Sequence, residues 1–172
     1  MNMKLHLLAI LLILGIKTFA QSHYEEVIRF NNGKIKSIIT YNSNNIKDGN
    51  TVNYHPNTTI QSVIPFVNGK IQGIVFNYYE NGNVESMGNV VNDQPQGTFI
   101  YYHRNATQKA IFEFLNGKII QVNGCFDRKK NPLYCGPFNN GNGEIYIYNE
   151  DGKLIAKDYF KNGDFIKSEK VY

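Results

Sequence analysis

Tryptophan is missing from the 172 residues, cysteine occurs twice, methionine three times and proline five times. Arginine is nearly as scarce, being confined to Arg29, Arg104 and Arg128. Two cysteines are too few for a four-thiolate zinc site or a disulfide-dense scaffold. Three arginines and a formal charge of +4 give no warrant for nucleic acid, whose phosphates call for a dense basic surface. Beyond residue 20 no apolar run is long enough to cross a bilayer as a helix, and no stretch shows a helical period.

The amino terminus is a separate matter. Lys4 is followed by an unbroken apolar run from Leu7 to Ile16, and Thr18-Phe19-Ala20 supplies a small-x-small cleavage site. This is the pattern of a secretory signal peptide over residues 1–20. A run of about ten residues, roughly 15 Å as a helix, is short for a ~30 Å hydrocarbon core; a signal anchor is the alternative. The mature chain is expected to start at Gln21. With no cysteine after the cleavage point, lipidation at that position is not expected. Removing Lys4 and Lys17 leaves 16 basic against 14 acidic residues, too even a balance for an anionic membrane. The expectation is an exported protein, periplasmic or secreted, with no integral membrane segment after cleavage.

What is abundant is tyrosine, phenylalanine, asparagine and glycine, and they recur in register. Phe30, Tyr54, Tyr78, Tyr102, Phe126, Tyr148 and Tyr172 lie 24 residues apart, except for one step of 22 between Phe126 and Tyr148. Gly49, Gly73, Gly97 and Gly143 each stand five residues before a member of that column. A third column is apolar (Phe66, Val90, Phe114, Phe160) and a fourth is small (Ser62, Ser86, Ala110, Ala156). Four columns with one period define an internal repeat. Its units are about 25–48, 49–72, 73–96, 97–120, 121–142 and 143–166, with a closing strand to 172.

Within a unit the pattern is a β-hairpin. Gly73 to Glu80 is a β-prone run, Asn81-Gly82 is a turn signal, and Val84 to Val91 returns. A type I′ turn is expected at Asn81-Gly82, with equivalents at Asn68-Gly69, Asn116-Gly117, Asp151-Gly152 and Asn162-Gly163. Alternation puts Phe76 with Tyr78, Ile100 with Tyr102, Val52 with Tyr54 and Tyr146 with Tyr148, and sends Asn53, Asn77 and Asn149 the other way. The expected fold is all-β: an antiparallel meander of ~24-residue β-hairpins forming one elongated, twisted or curled sheet. The aromatic column is expected to pack over the small column as a thin core, or to face a ligand along an open trough.

The segments Gly73-Ile-Val-Phe-Asn-Tyr-Tyr-Glu-Asn-Gly-Asn-Val and Val90-Val-Asn-Asp-Gln-Pro-Gln-Gly97 resemble the MORN repeat variant of YwqK-family antitoxin-like proteins. The resemblance runs through residues 49–120 and 143–166 and is weaker over 25–48 and 121–142. It implies a β-hairpin repeat scaffold, of a kind that serves elsewhere as an accessory module.

Candidate chemistry is sparse. Cys125 and Cys135 flank a polar turn about Lys130, which sets them opposite one another across a hairpin, and in an exported protein such a pair reads as a disulfide, with free thiols as the alternative. His55 and His103 share a repeat position two units apart, about 19 Å by strand spacing, too far to share a zinc ion; they read as strand-end polar residues. Asn57-Thr58-Thr59 and Asn105-Ala106-Thr107 match glycosylation sequons but fall at turns, where Asn is expected anyway. The loop residues Lys70, Gln94, Lys118 and Asp164 accumulate no charge, so a phosphate-binding edge is not expected. No nucleophile, base and orienting group assemble, and neither a metal site nor a cofactor site is expected. The reading is a non-enzymatic binding or envelope-associated scaffold with a protein, peptide or glycan partner. An immunity or antitoxin-like protein acting on a secreted toxin is the runner-up, and a small secreted hydrolase is the remote alternative.

Overall fold

The computed structural model describes residues 22–172; the expected signal peptide lies outside the described residues. No helix occurs among them. The strands are β1 (His23–Arg29), β2 (Ile35–Asn42), β3 (Lys47–Tyr54), β4 (Ile60–Val67), β5 (Lys70–Ile71), β6 (Gly73–Tyr78), β7 (Val84–Val91), β8 (Gln94–Tyr102), β9 (Gln108–Leu115), β10 (Lys118–Cys125), β11 (Phe138–Asn139), β12 (Asn142–Tyr148), β13 (Leu154–Lys161) and β14 (Asp164–Lys170). Pairing is antiparallel between neighbours in sequence within each sheet, except that β4 pairs with both the short β5 and β6, which do not pair with each other. The meander runs through a ten-stranded sheet from β1 to β10 and resumes as a four-stranded sheet from β11 to β14. It does not close into a barrel.

The two faces follow from the register. One row crosses the large sheet as Ser37, Asn53, Ser62, Asn77, Ser86, Tyr101, Ala110 and Cys125. The adjoining row, on the opposite face, is Ile38, Val52, Val63, Phe76, Met87, Ile100 and Ile111. No second layer of the described residues covers either face, so the core is thin. The buried apolar side chains are Ile39, Val90, Ala110, Cys125 and Ile145. Ser37, Thr51, Ser62 and Ser86 are buried beside them. Asparagine amides make the three serines tolerable: Ser37 donates to Asn53 Oδ1 at 2.6 Å, Asn53 Nδ2 donates to Ser62 at 2.8 Å, and Asn77 Nδ2 donates to Ser86 at 2.9 Å; the Thr51 hydroxyl has no such partner.

The small column therefore lies on the face away from Tyr78 and Tyr102. Tyr78 stacks with Phe76 at 6.2 Å and the Tyr102 hydroxyl meets Met87 Sδ at 4.0 Å, both on the second face. The expected packing of aromatic column over small column does not form. The physical reason is a β-bulge in every unit, for example between Asn53 and Tyr54 and between Asn77 and Tyr78, which changes the parity between the end of one strand and the start of the next. The bulges also add twist.

Turns alternate between the two edges of the sheet. On one edge, after a three-residue first turn between Asn42 and Ile46, the chain reverses through two residues with positive φ, as at Asn68-Gly69, Asn92-Asp93 and Asn116-Gly117, the type I′ geometry. On the other edge the turn is longer. Tyr79 N donates to Asn83 O and Gly82 N to Tyr79 O, with φ positive at Gly82 but not at Asn81. That is a type I turn closed by a left-handed residue, the three-residue hairpin loop. Asn81-Gly82 and Asp151-Gly152 belong to this second kind, which corrects the type I′ expectation at those two positions. The same loop accommodates Thr58, Ala106 and Lys130 at its left-handed position.

The glycine column is explained by its backbone, with φ of 118°, 124°, 76° and 118° at Gly49, Gly73, Gly97 and Gly143. Gly49, Gly73, Gly97 and Gly143 pair with Phe66, Val90, Phe114 and Phe160, the apolar column. At Gly143, φ is 118° and a Cβ would stand 2.0 Å from the Pro137 carbonyl oxygen, so no other residue fits there. Gly88 is a different case: the Phe99 ring lies on it, 2.3 Å from where a Cβ would be.

Candidate functional site

The aromatic column is distributed over three environments. Tyr54, Tyr78 and Tyr102 end β3, β6 and β8 and are half-buried. Phe126 and Tyr148 flank the junction between the two sheets. Tyr172 is fully exposed, at 104%. Phe30 opens its turn, accepting from Gly33 N and donating to Lys34 O. In later units that place belongs to His55, Tyr79, His103, Asp127 and Asn149, so Phe30 stands one residue out of the structural row.

That turn-opening row is what sequence reasoning missed. His55 Nε2 is 2.8 Å from Tyr78 O, the Tyr79 hydroxyl donates to Tyr102 O at 2.7 Å, and His103 Nε2 is 2.9 Å from Phe126 O. Since a carbonyl only accepts, each ring nitrogen is the donor, which assigns the tautomer. Each bond reaches 23 residues forward to the backbone of the next unit. A parallel row runs through the turn amides: Asn57 Nδ2 to Glu80 O, Asn81 Nδ2 to Arg104 O and Asn105 Nδ2 to Arg128 O, each at 2.9 Å. The two histidines are thus clamps between units rather than incidental polar residues, and His103 is 2% exposed. Both sequon asparagines spend their amides on the neighbouring unit. The sequence signal was available: three side chains able to donate, at a spacing of 24, directly after the column aromatic.

The ladder stops at Asp127, because a carboxylate has no hydrogen to give to a carbonyl. Asp127 instead closes its own turn, accepting from Lys129 N, Asn131 N and Asn131 Nδ2, each at 2.8 Å. The Asn131 side-chain amide, with these backbone donors, holds its carboxyl below the ordinary range. The unit that holds Asp127 is two residues short, and Pro132 and Pro137 cannot donate to a ladder. A regular return strand is lost there. Leu133 N still reaches Cys125 O and Tyr146 N reaches Cys135 O, and the Cys125–Cys135 disulfide spans the gap with a Cα–Cα distance of 5.5 Å. Arg128 pairs with Asp151 at 2.6 Å across the break, and Lys118 with Asp164 at 2.8 Å.

Where the sheets meet, a partly enclosed cavity of about 130 Å³ is lined by Tyr101, Phe112, Phe126, Tyr146, Ile147 and Tyr148, with His103, Ala110 and Cys125. Its rings hold one another. Phe112 meets Tyr101 edge to face at 5.4 Å, Tyr134 meets Tyr146 at 5.6 Å, and Lys157 Nζ lies 4.8 Å above the Tyr146 ring. The Tyr148 hydroxyl donates to Tyr134 O at 2.6 Å. Burial raises the Tyr101 and Tyr148 phenols above their ordinary pKa, so both are neutral donors across the physiological range. Among the described residues no three His, Cys, Asp or Glu side chains converge as a metal-ligand set.

An open sheet of stacked hairpins, tied edge to edge, defines a repeat-based scaffold. Residues 71–92 and 141–162 each match the MORN repeat variant. The first match covers β6 and β7, the second β12 and β13, and both end on the Asn of a two-residue turn. The chain carries MORN-variant repeats. No curated protein matches it.

Proposed function

We propose that this is a non-enzymatic, exported repeat protein that works as a binding or envelope-associated scaffold. The observation that carries the reading is the single-layered sheet. Large apolar side chains such as Ile74, Leu115, Tyr134 and Phe165 are exposed on an open sheet. Such surface is characteristic of contact with a partner. The MORN-variant repeats and the disulfide support the reading, the latter because such bonds persist in oxidising compartments.

The test uses the mature chain, immobilised and exposed to envelope and culture-medium fractions. Saturable capture of one component is the expected result. Capture of nothing from either fraction, or turnover of model ester or glycoside substrates, overturns it. Capture of a secreted toxin together with loss of its toxicity replaces the scaffold role with an immunity role.

A further inference from the structure

We propose that copies of this chain associate head to tail, β1 of one copy adding antiparallel to the open edge of β14 of the next, a contact that goes beyond the scaffold reading and is independent of what the sheet faces bind. β1 and β14 are the outermost strands of the two sheets, and each pairs with one neighbour only among the described residues. Such an edge is a row of N–H and C=O groups that templates another strand. Every residue of both strands is exposed.

Neither edge is shaped for a further repeat unit. In β3, β6, β8 and β12 a glycine with positive φ faces a bulky apolar residue of the strand that follows. In β1 and β14 the same place, five residues before the column aromatic, holds Glu25 and Lys167, and φ is positive at neither. What these edges offer is plain antiparallel pairing.

The side chains select the partner. Full overlap of the two seven-residue strands sets Glu26 opposite Lys167, Val27 opposite Ile166, Ile28 opposite Phe165 and Arg29 opposite Asp164. Two opposed charge pairs and two apolar pairs are what stabilises neighbouring strands. A strand facing its own copy does worse: β14 would set Lys167 against Lys167 and Phe165 against Glu169, and β1 would set Glu26 against Glu26. Parallel alignment would bring Arg29 beside Lys170 and Ile28 beside Glu169.

The four charges have partners within the chain. Glu26 accepts from Tyr41 and Arg29 donates to Gly33 O, while Asp164 pairs with Lys118 and Lys167 with Glu169. Each keeps a further oxygen or N–H for a second partner. β14 has one irregularity, beside Phe160, on its β13 side. A break of this kind is confined to one side of a strand: β2 pairs with β1 continuously across residues 39–41, where its ladder with β3 is interrupted.

Because the two patches differ, each copy has one of each to offer, and association builds an open filament or a closed ring. The test is sedimentation velocity of the mature chain from nanomolar to high micromolar concentration. Species larger than the monomer should grow with concentration and recede with added salt. Glu26→Lys and Lys167→Glu should each weaken association about tenfold, the effect of turning an opposed pair into a like-charged one. An equal mixture of the two variants should recover it, since each then offers the other an opposite charge at both contacts. Circular dichroism at low concentration checks that each variant keeps its strand spectrum. The proposal is overturned by a monomer at every concentration, by association that responds to only one of the two substitutions, as a strand paired with its own copy would, or by a mixture that recovers nothing. A monomer that still captures an envelope component overturns the edge contact and leaves the scaffold standing.

Discussion

His103 offers the sharpest measure of what holds the units together. Its ring is 2% exposed and its Nε2 stands 2.9 Å from Phe126 O, the last rung before the irregular unit. His103→Ala leaves that carbonyl without its donor in a place where little water can replace it. An orphaned buried acceptor costs about 1–3 kcal/mol, and the vacated ring volume adds about 1 kcal/mol more. The expected loss is about 3 kcal/mol, a large part of the ~5–15 kcal/mol a domain of this size possesses. For a chain of this length each kcal/mol lowers the midpoint by about 2–4 °C, so thermal unfolding followed by strand circular dichroism should shift down by roughly 6–12 °C. Urea unfolding should show a lower midpoint with the same slope, since the surface exposed on unfolding is unchanged. His103→Gln keeps a side-chain donor and should recover part of the loss. The refuting results are a His103→Ala midpoint within about 1 °C of wild type, or a Gln variant no better than Ala. The second result would make the imidazole a packing element and the ladder incidental.

Three further outcomes test other parts of the structure. Intact mass should rise by two hydrogens on reduction, and Cys125→Ser with Cys135→Ser should cost about 3 kcal/mol by loop closure while the strand spectrum persists; free thiols in the native chain would contradict this. Asp127 has a depressed pKa in the folded chain, so its stabilising effect is fully present above its ordinary value of 3.8 and is lost as pH falls through the lower folded value. Wild type should therefore exceed Asp127→Ala in urea stability at pH 7, with the gap closing as the pH falls below 3.8; a gap independent of pH would contradict the assignment. Tyr172→Ala should leave the midpoint unmoved, because the ring touches nothing, whereas Tyr102→Ala should lower it visibly. Equal effects of the two would show that the aromatic column does not contribute position by position.

The hairpins and their period were legible because they depend on local chemistry: β-prone runs, Asn-Gly pairs and glycines opposite bulky residues. Turn type was less so. Asn68-Gly69 and Asn81-Gly82 are the same dipeptide, and only the number of residues left between paired strands separates a two-residue from a three-residue loop. The faces failed at one link for a related reason, since a bulge beside Tyr54 or Tyr78 changes which residues share a side. The clamp row was hidden by its variety: His, Tyr and His look unrelated until their common partner, a carbonyl 23 residues on, is in view. The cavity left a trace as the single 22-residue step, with Pro132 and Pro137 beside it. Nothing in that step announced a space lined by aromatic rings.

The forward direction of the clamps bears on how such a molecule can change length. Every donor looks ahead to a carbonyl whose address is fixed by the count of residues between them, so one residue gained or lost inside a unit misaligns two rows of bonds at once. A whole unit gained or lost disturbs neither, because the new neighbour presents the same carbonyl at the same height. Growth is thereby quantised, and copying 73–96 in tandem is an evolutionary step that the architecture absorbs. The short fifth unit departs from this grammar, and it is also where the carboxylate of Asp127 ends the ladder and Arg128, through its bond to Glu150 O and its ion pair with Asp151, reaches the next unit instead.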